Sequence, residues 1–78
     1  MVFVYILRCA DETCYVGMTT DIKNRYREHV GGSVLYTKNR QPLKLIWCGI
    51  FRNKFIAAKF EQYLKTSSGK AFTNKRLI

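Results

Sequence analysis

Acidic residues are scarce in this 78-residue chain: five Asp and Glu stand against fourteen Lys and Arg, which leaves a net charge of +9. This imbalance predicts a polyanionic partner, although a basic surface that only keeps the protein soluble would give the same composition. Nucleic acid is favoured over a membrane, because no predicted helix combines a wide apolar face with the basic rim of an interfacial anchor.

Long hydrophobic runs are also missing, and the N-terminus lacks the charged-then-apolar pattern of a signal peptide. A soluble, cytoplasmic protein without membrane contact is therefore expected. Three cysteines without a C-x-x-C pair argue against a disulfide framework or a zinc knuckle. The single histidine excludes two-histidine metal sites. The length predicts one domain over residues 1–78, and the sequence gives no indication of the oligomeric state.

Three segments have the composition of strands. Val2–Arg8 and residues 14–18 are rich in β-branched and aromatic side chains and flank a polar turn, which predicts a hairpin. Residues 43–51 form the third predicted strand. Because apolar residues lie on both of its sides, we expect both faces to be covered and the strand to be central in the sheet.

The first predicted helix spans residues 21–30, with Asp21 suited to its positive end. A spacing of four predicts that its buried stripe consists of Ile22, Tyr26 and Val30. Arg25 and His29 are also four residues apart and share an adjoining face.

The second half of the chain alternates helical and polar segments. The pattern of residues 33–41 predicts a short helix or a loop. The pattern of residues 53–65 predicts a helix that begins at the N-cap Asn53. Residues 66–69 are expected to break that helix, and residues 70–76 to form a last short one.

Two tripeptides give the chain a specific resemblance. Phe3-Val4-Tyr5 lies on the first strand and Tyr15-Val16-Gly17 on the second, and at these positions the chain resembles the GIY-YIG nuclease family. The resemblance extends over almost the whole chain and is closest in character to small stand-alone members that look like the N-terminal endonuclease domain of the bacterial excinuclease C subunit. The residues that follow the order of the family are Tyr5, Tyr15, Gly17, Arg25, His29, Glu61 and Asn74.

The resemblance implies an α/β fold of the α+β type, in which helices flank a three-stranded antiparallel sheet. It places the active site in a shallow basic groove across the first two strands. Water activation would fall to Tyr5, orientation of phosphate or water to Tyr15, and clamping of the scissile phosphate to Arg25. A tyrosine pKa near 10 is too high for an efficient base, so the resemblance implies that Arg25 and a metal ion stabilise the phenolate.

A carboxylate for Mg²⁺ or Mn²⁺ can be sought by elimination, because a hard cation needs only one or two protein carboxylates. Asp11 and Glu12 lie in an exposed turn, and Asp21 has a capping role. Glu28 is expected to point away from the face that carries Arg25. Glu61 remains as the predicted metal ligand, although a solvated helix residue would look the same.

The remaining candidates each have an ordinary structural explanation beside the functional one. His29 is a candidate base, phosphate donor or supporting residue, or only a favourable charge at a helix end. Gly17 either lets phosphate approach the backbone or marks a strand bulge. Asn74 aligns with a late asparagine of the family that supports the site and binds substrate, or it is only a helix-terminal residue.

The function expected from these residues is metal-dependent endonucleolytic cleavage of DNA, in repair or recombination, with RNA as an alternative substrate. Two departures from the family matter: Phe3 replaces the first-motif glycine, and Met18 stands where excinuclease-like relatives carry a lysine. The loss of that cation favours the first alternative, a nucleic-acid-binding module of the same fold without cleavage. The second alternative is a basic scaffold that docks on a ribonucleoprotein by charge alone.

Overall fold

Three antiparallel strands and a set of short helices make up the protein. The computed structural model describes residues 1–77, apart from the side chains at positions 35, 36 and 77. The strands are β1 (Val2–Arg8), β2 (Cys14–Thr19) and β3 (Lys44–Phe51), in the order β2-β1-β3. The helices are α1 (Ile22–Val30), α2 (Leu35–Lys38), α3 (Lys54–Leu64) and α4 (Ser67–Phe72), followed by a π-helical turn (Thr73–Leu77). The predicted α+β architecture is confirmed.

The central strand is β1, so the prediction that the third strand is central was wrong. The register explains the error. Ile6 pairs with Trp47 but Leu7 pairs with Leu45, which leaves Ile46 as an extra residue in β3. Such a bulge shifts the alternation of side chains by one position. If the segment is read as a regular strand, its apolar residues therefore fall on both faces. Ile50 is 60% exposed on the edge strand.

The two faces of the sheet carry different chemistry. Val4 and Ile6 are fully buried and form the core with Ala57 and Leu64 of α3. Because successive side chains of a strand point to opposite faces, Tyr5 projects to the other side, where α1 lies. The apolar core and the polar cluster around Tyr5 are therefore separated by the sheet itself.

The first helix departs from the predicted stripe at its last turn, while Ile22 and Tyr26 are half-buried. Its N-cap is Asp21, whose side chain accepts a hydrogen bond of 3.1 Å from the backbone N–H of Asn24. Val30, predicted to be buried, is 50% exposed, whereas His29 is fully buried. A buried imidazole is tolerated only when its polar atoms are paired, and both ring nitrogens of His29 have partners.

The C-terminal segment also differs from its prediction. The N-cap Asn53 is confirmed by a 3.0 Å bond from the N–H of Ile56 to its side chain. Gly69, however, does not end a helix but lies buried inside α4, which begins earlier than expected, with Thr66 as its N-cap. A Cβ at Gly69 would overlap the backbone of Tyr63, so glycine is needed there for close packing of α4 on the end of α3.

The remaining predictions concern the cysteines, membrane-spanning helices and residues 33–41. All three cysteines are free, with Cys9 buried and Cys14 and Cys48 exposed. Within the described residues, no helix has the length and hydrophobicity that a membrane crossing requires. Residues 33–41 contain only the four-residue helix α2, as the prediction of a short helix allowed.

Candidate active site

Tyr5 is the centre of a polar cluster on the α1 side of the sheet. Its side chain is only 1% exposed, and its hydroxyl oxygen lies 2.9 Å from Nε2 of His29. Nε of Arg25 donates a hydrogen bond of 3.3 Å to the same oxygen. The hydroxyl therefore contacts a group that can take a proton and a fixed positive charge.

Gly17 makes room for Tyr5. The two residues are partners across the β1–β2 pair, and a Cβ at position 17 would overlap the phenol ring and hydroxyl of Tyr5. Gly17 is thus needed for the tyrosine side chain to lie across the neighbouring strand and reach His29. This contact already accounts for the glycine; its role in phosphate binding stays a prediction.

Tyr15 forms the third ring of the cluster. Its ring centroid lies 4.9 Å from that of His29 in an edge-on arrangement and 6.2 Å from that of Tyr5. Tyr15 and Gly17 are two residues apart on β2, so they face the same side of the sheet. An edge-on arrangement is a favourable geometry for two aromatic rings. These contacts hold the imidazole between the two tyrosines.

Thr37 is a member of the cluster that the sequence did not reveal. It is fully buried on α2, and its Oγ1 lies 2.9 Å from Nδ1 of His29. The segment around it looked only polar and basic, and nothing in its pattern marks a threonine that touches a histidine eight residues earlier. The contact exists because the chain reverses after α1 at Gly31 and Gly32 and returns α2 to the imidazole.

Burial shifts the pKa of both members of the Tyr5–His29 pair toward the neutral form. It lowers the pKa of His29 below its ordinary value of 6.5, and the nearby charge of Arg25 acts in the same direction, with a smaller opposing effect from Glu28. Burial also raises the pKa of Tyr5 above 10.0. The hydrogen bond from Arg25 lowers the pKa of Tyr5, as the resemblance implied, but burial outweighs it.

Arg25 is held by partners on both sides. Its Nη1 lies 3.1 Å from a carboxylate oxygen of Glu28, and its side chain is 33% exposed. The prediction that Glu28 points away was wrong, because residues three apart are neighbours on a helix surface. The pKa of Arg25 is raised, chiefly by the hydrogen bond to Tyr5. The guanidinium has five N–H donors, so it retains donors for a phosphate.

The other two candidates, Glu61 and Asn74, come from helical segments beyond the opposite face. Glu61 shares a helix face with Ala57 and Leu64, which pack against that side of the sheet. Its side chain is 19% exposed, and one carboxylate oxygen lies 3.7 Å from Nζ of Lys65. Asn74 lies in the π-helical turn. The structure therefore brings five of the seven predicted residues together, Tyr5, Tyr15, Gly17, Arg25 and His29, and sets these two apart from them.

A cavity of about 600 Å³ has both Tyr15 and Asn74 in its lining. Tyr15 packs on His29 and also lines this cavity, which extends from the hairpin turn to the end of α3 and to α4. Its apolar floor is formed by Ile6, Val16 and Leu64, and the residues with polar or charged ends around it include Thr13, Lys65, Lys70 and Asn74. Lys65 and Lys70 outnumber the one acid of the lining, Glu12, and such an excess of positive charge suits a phosphate backbone.

Residues 1–76 match the family model of the GIY-YIG catalytic domain. The chain belongs to the GIY-YIG family. Among its curated relatives, a UPF0213 protein of Clostridium perfringens is 41% identical over 66 residues, which are 83% of this chain and 71% of the relative. A UPF0213 protein of Natronomonas pharaonis is 40% identical over 67 residues, covering 85% of this chain and 79% of the relative.

A solved structure supports the same assignment. The solution NMR structure of a UPF0213 protein from Bacillus halodurans is similar over 99% of this chain and 87% of its own, with a TM-score of 0.63 and 32% identity. Membership of the GIY-YIG family indicates nuclease chemistry on a nucleic acid. The tyrosines of the two family tripeptides are the residues that meet at His29.

The GIY-YIG family also implies a divalent metal ion, and the acids of this chain can be tested against it. Among the residues that the structure describes, no three His, Cys, Asp or Glu side chains lie together as a metal site. A Mg²⁺ site built from one carboxylate, waters and a substrate phosphate does not need such a group. The carboxylate of Glu61 fits that role chemically, since its 3.7 Å contact with Lys65 is longer than a charge-assisted hydrogen bond.

Proposed function

We propose that this protein is a metal-dependent endonuclease that hydrolyses phosphodiester bonds of DNA, in DNA repair or recombination in the cytoplasm. The observation that carries the proposal is the contact of the Tyr5 hydroxyl with both a neutral histidine and an arginine. A core tyrosine needs one hydrogen-bond partner. A base and a cation on one hydroxyl are the partners that proton transfer and phosphate binding require.

In the proposed reaction, the Tyr5–His29 pair removes the proton of the attacking water. The water oxygen forms a bond to phosphorus while its proton passes to the oxygen of Tyr5. The hydroxyl proton of Tyr5 moves at the same time to Nε2 of His29. The bond from phosphorus to the leaving oxygen breaks, and His29 returns its proton through Tyr5 to that oxygen or to solvent. Tyr5 thus acts without a stable phenolate, which the burial of its hydroxyl would disfavour.

Arg25 supplies the positive charge for the phosphate. Its Nε is occupied by Tyr5 and its Nη1 by Glu28, so the guanidinium plane is fixed before substrate arrives. A donor fixed in advance stabilises charge that grows on the phosphate oxygens without having to reorganise. The same guanidinium stabilises negative charge on Tyr5 while the proton is transferred.

The metal ion of this proposal is Mg²⁺ or Mn²⁺, held by Glu61. When bound, such an ion would stabilise the negative charge of the phosphate and of the leaving oxygen. Glu61 is a residue of α3 and forms an ion pair with Lys65, and Lys65 lines the cavity that Tyr15 shares with Asn74. A nucleic-acid strand that crosses the edge strand β2 at Tyr15 would therefore meet Arg25 on one side and the cavity on the other. In this arrangement Asn74 and Gly17 contact the substrate.

Glu61→Gln is expected to abolish metal-dependent nicking while the melting temperature and DNA affinity stay near wild type. The substitution keeps the shape of the side chain and removes the charge that holds the cation. The assay compares nicked, branched and duplex DNA with Mg²⁺, Mn²⁺ or EDTA. Glu28→Gln is the matched variant, because it removes a carboxylate on the other side of the sheet.

Two readouts separate the carboxylates. Mn²⁺ should broaden the NMR signals of amides near Glu61 in wild type and in Glu28→Gln, but not in Glu61→Gln. The Mg²⁺ concentration for half-maximal nicking should be unchanged in Glu28→Gln. Broadening centred on Glu28, or metal-dependent nicking that is lost in Glu28→Gln and kept in Glu61→Gln, would transfer the metal site to the α1 side. A wild type that binds DNA and cleaves none of these substrates would favour the binding-module alternative.

A further inference from the structure

The imidazole of His29 lies between two hydroxyl groups. The oxygen of Tyr5 is 2.9 Å from Nε2, and Oγ1 of Thr37 is 2.9 Å from Nδ1. In a neutral imidazole one ring nitrogen donates and the other accepts. The partner at one nitrogen therefore decides what the other nitrogen can do.

The other contact of Thr37 indicates a direction for this chain of hydrogen bonds. Its hydroxyl lies 3.5 Å from the backbone carbonyl of Val34 and donates to it. The hydroxyl proton is then occupied, and the lone pairs of Oγ1 are free to accept from Nδ1–H of His29. Nε2 carries no proton in this tautomer, and so it accepts the hydroxyl proton of Tyr5.

The contacts at Tyr5 agree with the same direction. Nε of Arg25 always donates, and it donates to the Tyr5 oxygen. While its oxygen accepts that bond, the hydroxyl of Tyr5 gives its own proton to His29. In the opposite tautomer Nε2 would donate to the Tyr5 oxygen and would have no lone pair to accept its proton.

We propose that Thr37 is a positioning residue that fixes His29 as the Nδ1–H tautomer and so makes Nε2 the proton acceptor of Tyr5. Thr37 and His29 are both fully buried, so water does not replace the threonine hydroxyl at Nδ1. The tautomer assignment rests on the contacts of Thr37 with Val34 and of Tyr5 with Arg25. Its catalytic consequence depends on the proposed endonuclease function.

NMR of the ring nitrogens tests the tautomer without any cleavage assay. His29 is the only histidine, so every histidine ring signal of the ¹⁵N-labelled protein belongs to it. In wild type at neutral pH we expect a protonated Nδ1 and an unprotonated Nε2. Thr37→Ser should preserve this pattern. Thr37→Val, which has nearly the same shape without the hydroxyl, should shift the ring toward Nε2–H.

A wild-type ring protonated at Nε2 would overturn the assignment, and so would a folded Thr37→Val variant that keeps the wild-type pattern. If Thr37→Val does not fold, the wild-type spectrum alone decides. Thr20→Val serves as the control, since Thr20 is exposed and lies outside the cluster.

Cleavage kinetics test the catalytic consequence. Thr37→Val should lower kcat by roughly 10–100-fold with little change in KM, the range typical of removing a partner that orients a functional histidine. Thr37→Ser should recover most of the rate. An unchanged kcat in a variant whose ring has switched tautomer would overturn the catalytic consequence. Absence of cleavage by wild type would defeat the proposed function but leave the NMR result standing.

Discussion

Tyr5→Phe is expected to lower the rate of DNA cleavage by roughly 10²–10⁴-fold, the contribution typical of a positioned proton-transfer group. The substitution keeps the ring that fills the space over Gly17 and removes only the hydroxyl between His29 and Arg25. Water would then have no path for its proton to the buried imidazole. The measurement is the initial rate of nicking with Mg²⁺ at saturating DNA.

The control for this experiment is Tyr63→Phe, which removes a hydroxyl from a 42% exposed tyrosine on α3. Its rate should match wild type. Because Tyr5→Phe leaves a buried ring nitrogen without its partner, a stability loss of about 1–3 kcal/mol is expected as well. Rates are therefore compared only at a temperature where melting curves show both proteins to be folded. A Tyr5→Phe variant that cleaves at the wild-type rate would remove Tyr5 from the proton path.

Arg25→Ala is expected to lower cleavage by about 10²–10³-fold and DNA affinity far less. The reason is that its guanidinium, fixed by Tyr5 and Glu28, faces charge that grows in the transition state and not in the bound substrate. Arg25→Lys should recover little of the rate, since a point charge cannot replace the planar donors. The measurements are single-turnover rates and DNA titrations on the same preparations.

Arg27→Ala is the matched control, because Arg27 is exposed on the same helix, two residues away and on a different face. It removes the same charge from the DNA-attracting surface and should have only a small effect on both affinity and rate. If Arg25→Ala lowers affinity and rate by the same factor, Arg25 is an ordinary phosphate contact without a special role in the transition state.

Local sequence patterns predicted the parts of the fold that depend on neighbours in the chain. The β1–β2 hairpin follows from two β-rich segments around a polar turn, and the start of α3 from the capping residue Asn53. The two family tripeptides were enough to identify both tyrosines of the cluster. Short-range order and a family motif were sufficient for these features.

The errors arose where tertiary contacts override the local pattern. The bulge at Ile46 gave an edge strand the appearance of a central one, and the partners of His29 made it, and not Val30, the buried residue in the last turn of α1. Thr37 could not be identified, because its role depends on how the chain returns after α1. Glu28 was predicted to point away from the face that carries Arg25, although its position three residues later allows the observed ion pair.

The pH dependence of kcat tests whether neutral His29 accepts the proton of Tyr5. Burial lowers the pKa of His29 below 6.5, so the neutral base is present at pH 7 and is lost as the pH falls through that lowered pKa. We expect kcat to be constant down to about pH 6.5 and then to fall with a midpoint equal to the His29 pKa measured by NMR in the same DNA-bound protein. If kcat stays constant while His29 becomes protonated, His29 does not accept the proton of Tyr5.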